Sequence, residues 1–137
     1  MPDRSDWTGV EVCFDDERVV SDAGVVLLAT LTERLGVQRL VDDTVLLPRE
    51  RPGAVNAGRK VLGLLFSMVL GGDCIDDAQV LRSGWTIRLS GWMPAPSTLR
   101  TFLRALRFGH VRQLERVLGE CLTWAWAAGG ARAPRGW

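Results

Sequence analysis

Apolar and polar positions alternate in blocks whose period changes along the chain. Val10-Glu11-Val12-Cys13-Phe14 alternates, and Val19-Val20 follows across Asp15-Asp16-Glu17-Arg18, which predicts a short N-terminal β-hairpin. From Ser21-Asp22, which can cap a helix, Leu27, Leu28, Leu31 and Leu35 recur at helical spacing up to Gly36, a good residue for a helix end. A short helix over about 37–45 buries Leu40 and Val41. Pro48 to Gly53 is a loop by composition.

A helix over about 56–70 carries a main stripe of Val61, Leu62, Leu65, Met68 and Val69, with Leu64, Phe66 and Leu70 around it. A helix apolar nearly all round belongs at the centre of a core. Gly71-Gly72 end it, and Asp73 is placed to cap a helix that Gly84 closes. Trp85 to Met93 fits a strand or a helical turn equally. Pro94-Ala95-Pro96-Ser97 reads as a stop followed by a cap. A helix over 98–108 follows, burying Leu99, Phe102, Leu103 and Leu106. Gly109 breaks it. The last helix, about 110–128, has Val111, Leu114, Leu118, Cys121 and Ala125 as a packing seam, with Trp124 and Trp126 packed around it. The pattern predicts a mainly α protein, a bundle of five or six helices with a helix-turn-helix-like segment. Residues 1–20 form an arm and hairpin, 21–129 the helical domain and 130–137 a tail.

Composition supports one domain. At 137 residues about 68% of the unfolded surface can be buried, enough for a core without disulfides. Three widely spaced cysteines exclude a disulfide scaffold and a zinc knuckle. The longest strongly apolar uncharged run, Val61 to Gly72, is far short of the roughly 20 residues a bilayer needs. With no signal-peptide pattern at the N-terminus, the expectation is a cytoplasmic protein with no membrane partner.

Charge changes the picture more. The net charge of +1 conceals ten acids against four bases in residues 1–48 and six against thirteen in 49–137. Between Arg82 and Arg116 there are seven arginines and one acid, Glu115. A basic half points to an anionic partner, most often nucleic acid. On a wheel of about 100° per residue, Arg100, Arg104 and Arg107 share an arc of about 60° beside the apolar face. Ser97, Thr98 and Thr101 add hydroxyl donors, and Arg112 and Arg116 extend the basic surface onto the next helix. These eight residues are the candidate contacts to double-stranded DNA.

Other chemistry is weaker. Asp73, Asp76 and Asp77 read as a cap and first-turn acids rather than a metal site, and Asp42-Asp43 as solvated charge. His110, the only histidine, reads as a capping or packed residue. Gly53-x4-Gly58-Arg59-Lys60 is not a P-loop, because Lys and Ser/Thr are out of register. No catalytic constellation, metal or cofactor is expected.

Several segments carry a resemblance. Val19-Val20-Ser21-Asp22-Ala23-Gly24-Val25-Val26-Leu27-Leu28 with Leu35-Gly36, and Gly71-Gly72-Asp73-Cys74-Ile75-Asp76-Asp77-Ala78 with Val80-Leu81-Arg82, are two of them. Ala95-Pro96-Ser97-Thr98-Leu99 with Thr101-Phe102-Leu103-Arg104, and Phe108-Gly109-His110-Val111-Arg112-Gln113-Leu114, complete the set. In this order, across roughly 10–130, they resemble the N-terminal region of DDE-type transposases from bacterial insertion sequences. The resemblance implies a DNA-binding region that recognises element ends and precedes an RNase H-like domain with two catalytic metals. The chain ends at Trp137, before the strand where the first catalytic Asp is expected, so it resembles a truncated transposase with no catalysis of its own. A self-contained helix-turn-helix transcriptional regulator, or a module that pairs with and inhibits full-length transposase, fits the same basic helix and seam.

Overall fold

The computed structural model describes residues 24–82 and 93–129. Among them the chain forms six helices and no strand. These are α1 (Gly24–Arg34), α2 (Val37–Thr44), α3 (Ala57–Val69), a 3-10 helix (Ile75–Arg82), α4 (Pro96–Ala105) and α5 (Phe108–Ala127). The mainly helical architecture expected from the periodicity is the one observed. The hairpin expected over 10–20, the Ser21-Asp22 cap, most of the ambiguous 85–93 stretch and the tail 130–137 lie outside the described residues.

The central element is α3, which packs on α1, α2, the 3-10 helix and α4. It joins two apolar clusters. Phe66 meets Val25, Val26, Ala29, Leu81 and Met93 in one. Ala57 meets Val37, Val41, Val45, Phe102 and Val117 in the other. Leu62 packs against both.

The faces that turn inward differ from those expected. On α1 the buried residues are Val25, Val26, Ala29 and Thr32, while Leu27 and Leu31 are exposed. The smaller, β-branched face allows close contact with Phe66, and the Thr32 hydroxyl is satisfied by donating to the Ala29 carbonyl (3.0 Å). On α3 the buried face is Ala57, Gly58, Arg59, Lys60, Gly63, Phe66 and Ser67, and Met68 and Val69 face out. Small residues win here because helices cross closely. A Cβ on Gly58 would collide with the Gln38 carbonyl oxygen and come within 2.9 Å of Asp42 Oδ1, and one on Gly63 would lie 3.1 Å from Pro94 Cγ.

Helix ends also depart from expectation. Gly36, at φ 64°, closes α1 and starts α2, the left-handed geometry expected of it. Asn56, the residue before α3, is itself left-handed (φ 58°) and makes no side-chain cap. The Asp42 carboxylate of α2 supplies one, accepting the Gly58 N–H at 2.7 Å, so Asp42 is not merely solvated charge. The segment after Gly72 is 3-10, and its cap is reversed. Asp77, not Asp73, accepts the backbone N–H groups of Asp73 (2.7 Å) and Cys74 (3.0 Å). Those bonds hold the Asp77 carboxyl below its usual range.

Candidate nucleic-acid interface

Helix α4 starts earlier and ends earlier than the sequence pattern suggested. Pro96 takes the first helical position, where its fixed φ is favourable and its missing N–H costs nothing. Ser97 therefore lies in the first turn and is not the cap. Its carbonyl accepts the Thr101 hydroxyl at 3.1 Å. Leu106 leaves the helix at ψ 141° and Arg107 is extended, at φ −122° and ψ 173°. Helical geometry therefore does not apply to Arg107, which precedes α5 instead of sharing an arc with Arg100 and Arg104.

What remains on α4 is a two-sided helix. Leu99, Phe102 and Ala105 are buried, with Leu103 exposed at the edge. Arg100 and Arg104, one turn apart, are exposed together with Ser97 and Thr101; Thr98 is half-buried. Arg100 Nη2 donates to Asp76 Oδ1 at 2.6 Å, a surface ion pair between α4 and the 3-10 helix. No acid of the described residues lies within ion-pair distance of Arg104, Arg107 or Arg116.

The helix is braced from beneath. Arg51 Nη1 donates to the Ala105 carbonyl at 2.9 Å, occupying one of the free acceptors at the end of α4. Gly53 lies so close that a Cβ there would meet Thr101 and Phe102 backbone atoms at 2.9 Å. The buried Lys60 Nζ donates to the Gly53 carbonyl at 2.7 Å and lies 5.7 Å from the Phe102 ring centroid. Burial lowers the Lys60 pKa. Neither Arg51 nor Lys60 carried a sequence signal for this role, because the tie depends on a loop folding back 54 residues in one case and onto a backbone carbonyl in the other.

Arg112 and Arg116 lie on α5, whose backbone packs on α2 and which shares with α4 the cluster of Phe102 and Val117. The arginines thus fall into two groups on separate helices. Arg112 Nη1 is 2.9 Å from Glu115 Oε2 and its guanidinium lies 6.0 Å from the Phe108 ring centroid. Gly109 is not the residue that breaks α4, which ends at Ala105; it lies in the first turn of α5, which begins at Phe108. The His110 ring holds its first turn: Nδ1 accepts the Arg107 backbone N–H at 2.8 Å and Nε2 contacts the Leu46 carbonyl at 3.1 Å. Gln113 Oε1 accepts the Leu46 N–H at 3.0 Å. His110 is thus the capping residue the sequence suggested, and it also anchors the chain after α2. The expected seam on α5 is rotated: Val117 is buried, Leu114 and Cys121 partly so, and Val111, Leu118, Trp124 and Trp126 are exposed.

Asp73, Asp76 and Asp77 do not converge, since Asp76 serves Arg100 and Asp77 serves backbone N–H groups. Among the described residues no three metal-ligating side chains come together, and no helix is long and apolar enough to cross a membrane. No family model, curated protein or solved structure matches the chain.

Proposed function

We propose that this chain is a DNA-binding N-terminal region of an insertion-sequence transposase and that α4 meets the DNA. The observation that carries this reading is the exposed Arg100–Arg104 pair on a short helix whose opposite face is buried and whose end is tied down by Arg51. A basic helix face held rigid at low entropy cost suits phosphate and groove contacts. The four sequence segments resembling transposases supply the family. In this reading the 3-10 helix and α4, both packed on α3, act as the helix-turn-helix-like unit. Arg107, Arg112 and Arg116 provide further phosphate contacts outside α4.

The test is duplex binding across a salt series, using DNA that carries the element ends. Log K should fall linearly with log salt, and Arg104→Ala should reduce the slope by about 1. Binding indifferent to salt, or unchanged in Arg104→Ala, overturns the assignment. The same reading assigns the chain no cleavage of its own. Magnesium-dependent nicking lost in Asp76→Ala or Asp77→Ala would overturn that part.

A further inference from the structure

Arg100 and Arg104 lie one turn apart on α4 but in unlike surroundings. Arg100 Nη2 donates to Asp76 Oδ1 at 2.6 Å. No acid of the described residues lies within ion-pair distance of Arg104. Resting on the DNA-binding reading of α4, we propose that the two arginines have different roles. Arg100 reads a guanine edge in the major groove, with Asp76 as its positioning residue, and Arg104 contacts phosphate.

Both ends of the ion pair leave anchored backbone. Asp76 projects from the 3-10 helix, which packs on α3 and α4. Its neighbour Asp77 holds the Asp73 and Cys74 N–H groups, and Ala78 and Leu81 of the same element are fully buried. Arg100 stands between Leu99 and Phe102, both fully buried. The contact therefore sets where the guanidinium lies. The two side chains are 44% and 65% exposed, so in water the pair adds little to the stability of the fold. Its effect on recognition is larger. A carboxylate beside a phosphate-binding arginine only opposes binding, because it competes for the cation and repels the DNA backbone. Beside a base-reading arginine it fixes the plane of the fork and lowers the ordering cost of binding. Asp76 takes one guanidinium N–H, and a parallel pair of N–H donors remains for the O6 and N7 acceptors of guanine.

Position along the helix assigns the same roles. Arg100 lies in the first half of Pro96–Ala105, the part that faces base edges in a groove-reading helix. Arg104 lies in the last turn, followed by the exposed Arg107, where contacts to the backbone hold the register.

Selection by the full chain from a duplex library randomised over its central base pairs tests these roles. The wild type should enrich duplexes with a fixed guanine at one position. Arg100→Lys keeps the charge and Asp76→Asn removes only the carboxylate charge. Each, with unchanged far-UV circular dichroism, should reduce the preference for that guanine by about 10-fold or more. Asp76→Asn should still bind the unselected library at least as tightly as the wild type, which a variant with damaged structure does not do. In an Arg100→Lys background, Asp76→Asn should change the preference no further. Arg104→Ala should weaken selected and unselected duplexes alike. A guanine preference unchanged in Arg100→Lys or in Asp76→Asn overturns the inference, as does a preference lost in Arg104→Ala instead. The DNA-binding reading survives that result if Arg104→Ala still lowers the salt slope. A wild type that binds no duplex overturns both.

Discussion

Two side chains tie protonation to folding with opposite signs. Lys60 is buried against Phe102 with its ammonium on the Gly53 carbonyl, and burial lowers its pKa from the ordinary 10.5. Below 10.5 and above its folded value the unfolded chain therefore holds more protons at this position, so its contribution to stability grows as pH rises through that window. Cys121 is raised above 9.0 by burial and by the nearby Glu120. The folded chain then holds more protons, and its contribution falls as pH rises past 9.0. In a Cys121→Ser background, the urea midpoint should gain on going from pH 8 to pH 10, and Lys60→Met should abolish that gain. An unchanged slope in Lys60→Met would show that Lys60 is not the group responsible. At the acid end Asp77 acts in the ordinary direction for a carboxylate. Its pKa is held below 3.8, first by the Cys74 N–H and then by that of Asp73. The stability it contributes is present above pH 3.8 and lost as pH falls through the folded value. Asp77→Asn should lower the urea midpoint at neutral pH and flatten the acid limb of midpoint against pH, and an acid limb as steep as the wild type's would show that Asp77 is not the group responsible.

At the scale of helices, the positions of most elements were legible in the sequence, and the faces were not. Periodicity located α1, α2, α3, α4 and α5 to within a few residues because Leu, Val and Phe recur at three and four. It misassigned the inward face of α1 and α3 because hydrophobicity alone favours Leu27, Leu31, Met68 and Val69. The structure instead buries Ala29, Gly58 and Gly63, where size decides how close two backbones come. It missed two caps for a related reason: Asp42 and Asp77 reach backbone groups displaced in space or in order from those a local rule considers, whereas the His110 cap at the start of its own helix was legible. Arg100 and Arg104 were legible as one exposed pair because both lie inside a helix, whereas Arg107 lies beyond its end. A glycine pair tests the crossing argument. Gly58→Ala forces α2 from α3 by backbone contact and should cost about 3 kcal/mol in chemical denaturation. Gly109→Ala, with nothing within 4 Å and no positive φ, should be neutral or stabilising by up to about 0.5 kcal/mol. Equal effects of the two would sink the crossing argument.

For the molecule as a whole, the arrangement of the two clusters decides how it unfolds. Each cluster by itself is small. The first lies around Phe66 and Leu81, the second around Val41 and Phe102. They are not separable units, because α3 gives Phe66 to one and Ala57 to the other, and Leu62 touches both. The second cluster also spans the chain: Val37 and Val41 of α2, Phe102 of α4 and Val117 of α5 meet there, so α5 loses its main support if α2 leaves. Loss of either cluster strips α3 of a buried face and exposes the other. Folding should therefore be a single cooperative transition, with far-UV and near-UV signals coincident across a urea titration. Phe66→Ala and Phe102→Ala each remove a side chain that is 3% or less exposed, at a cost of about 3–5 kcal/mol. Against a total stability on the order of 5–15 kcal/mol, each should shift that one midpoint strongly while leaving one transition. A variant in which Phe102→Ala melts α2, α4 and α5 in a first step, with α1, α3 and the 3-10 helix persisting to a second, would show that the two clusters are independent and that α3 does not couple them.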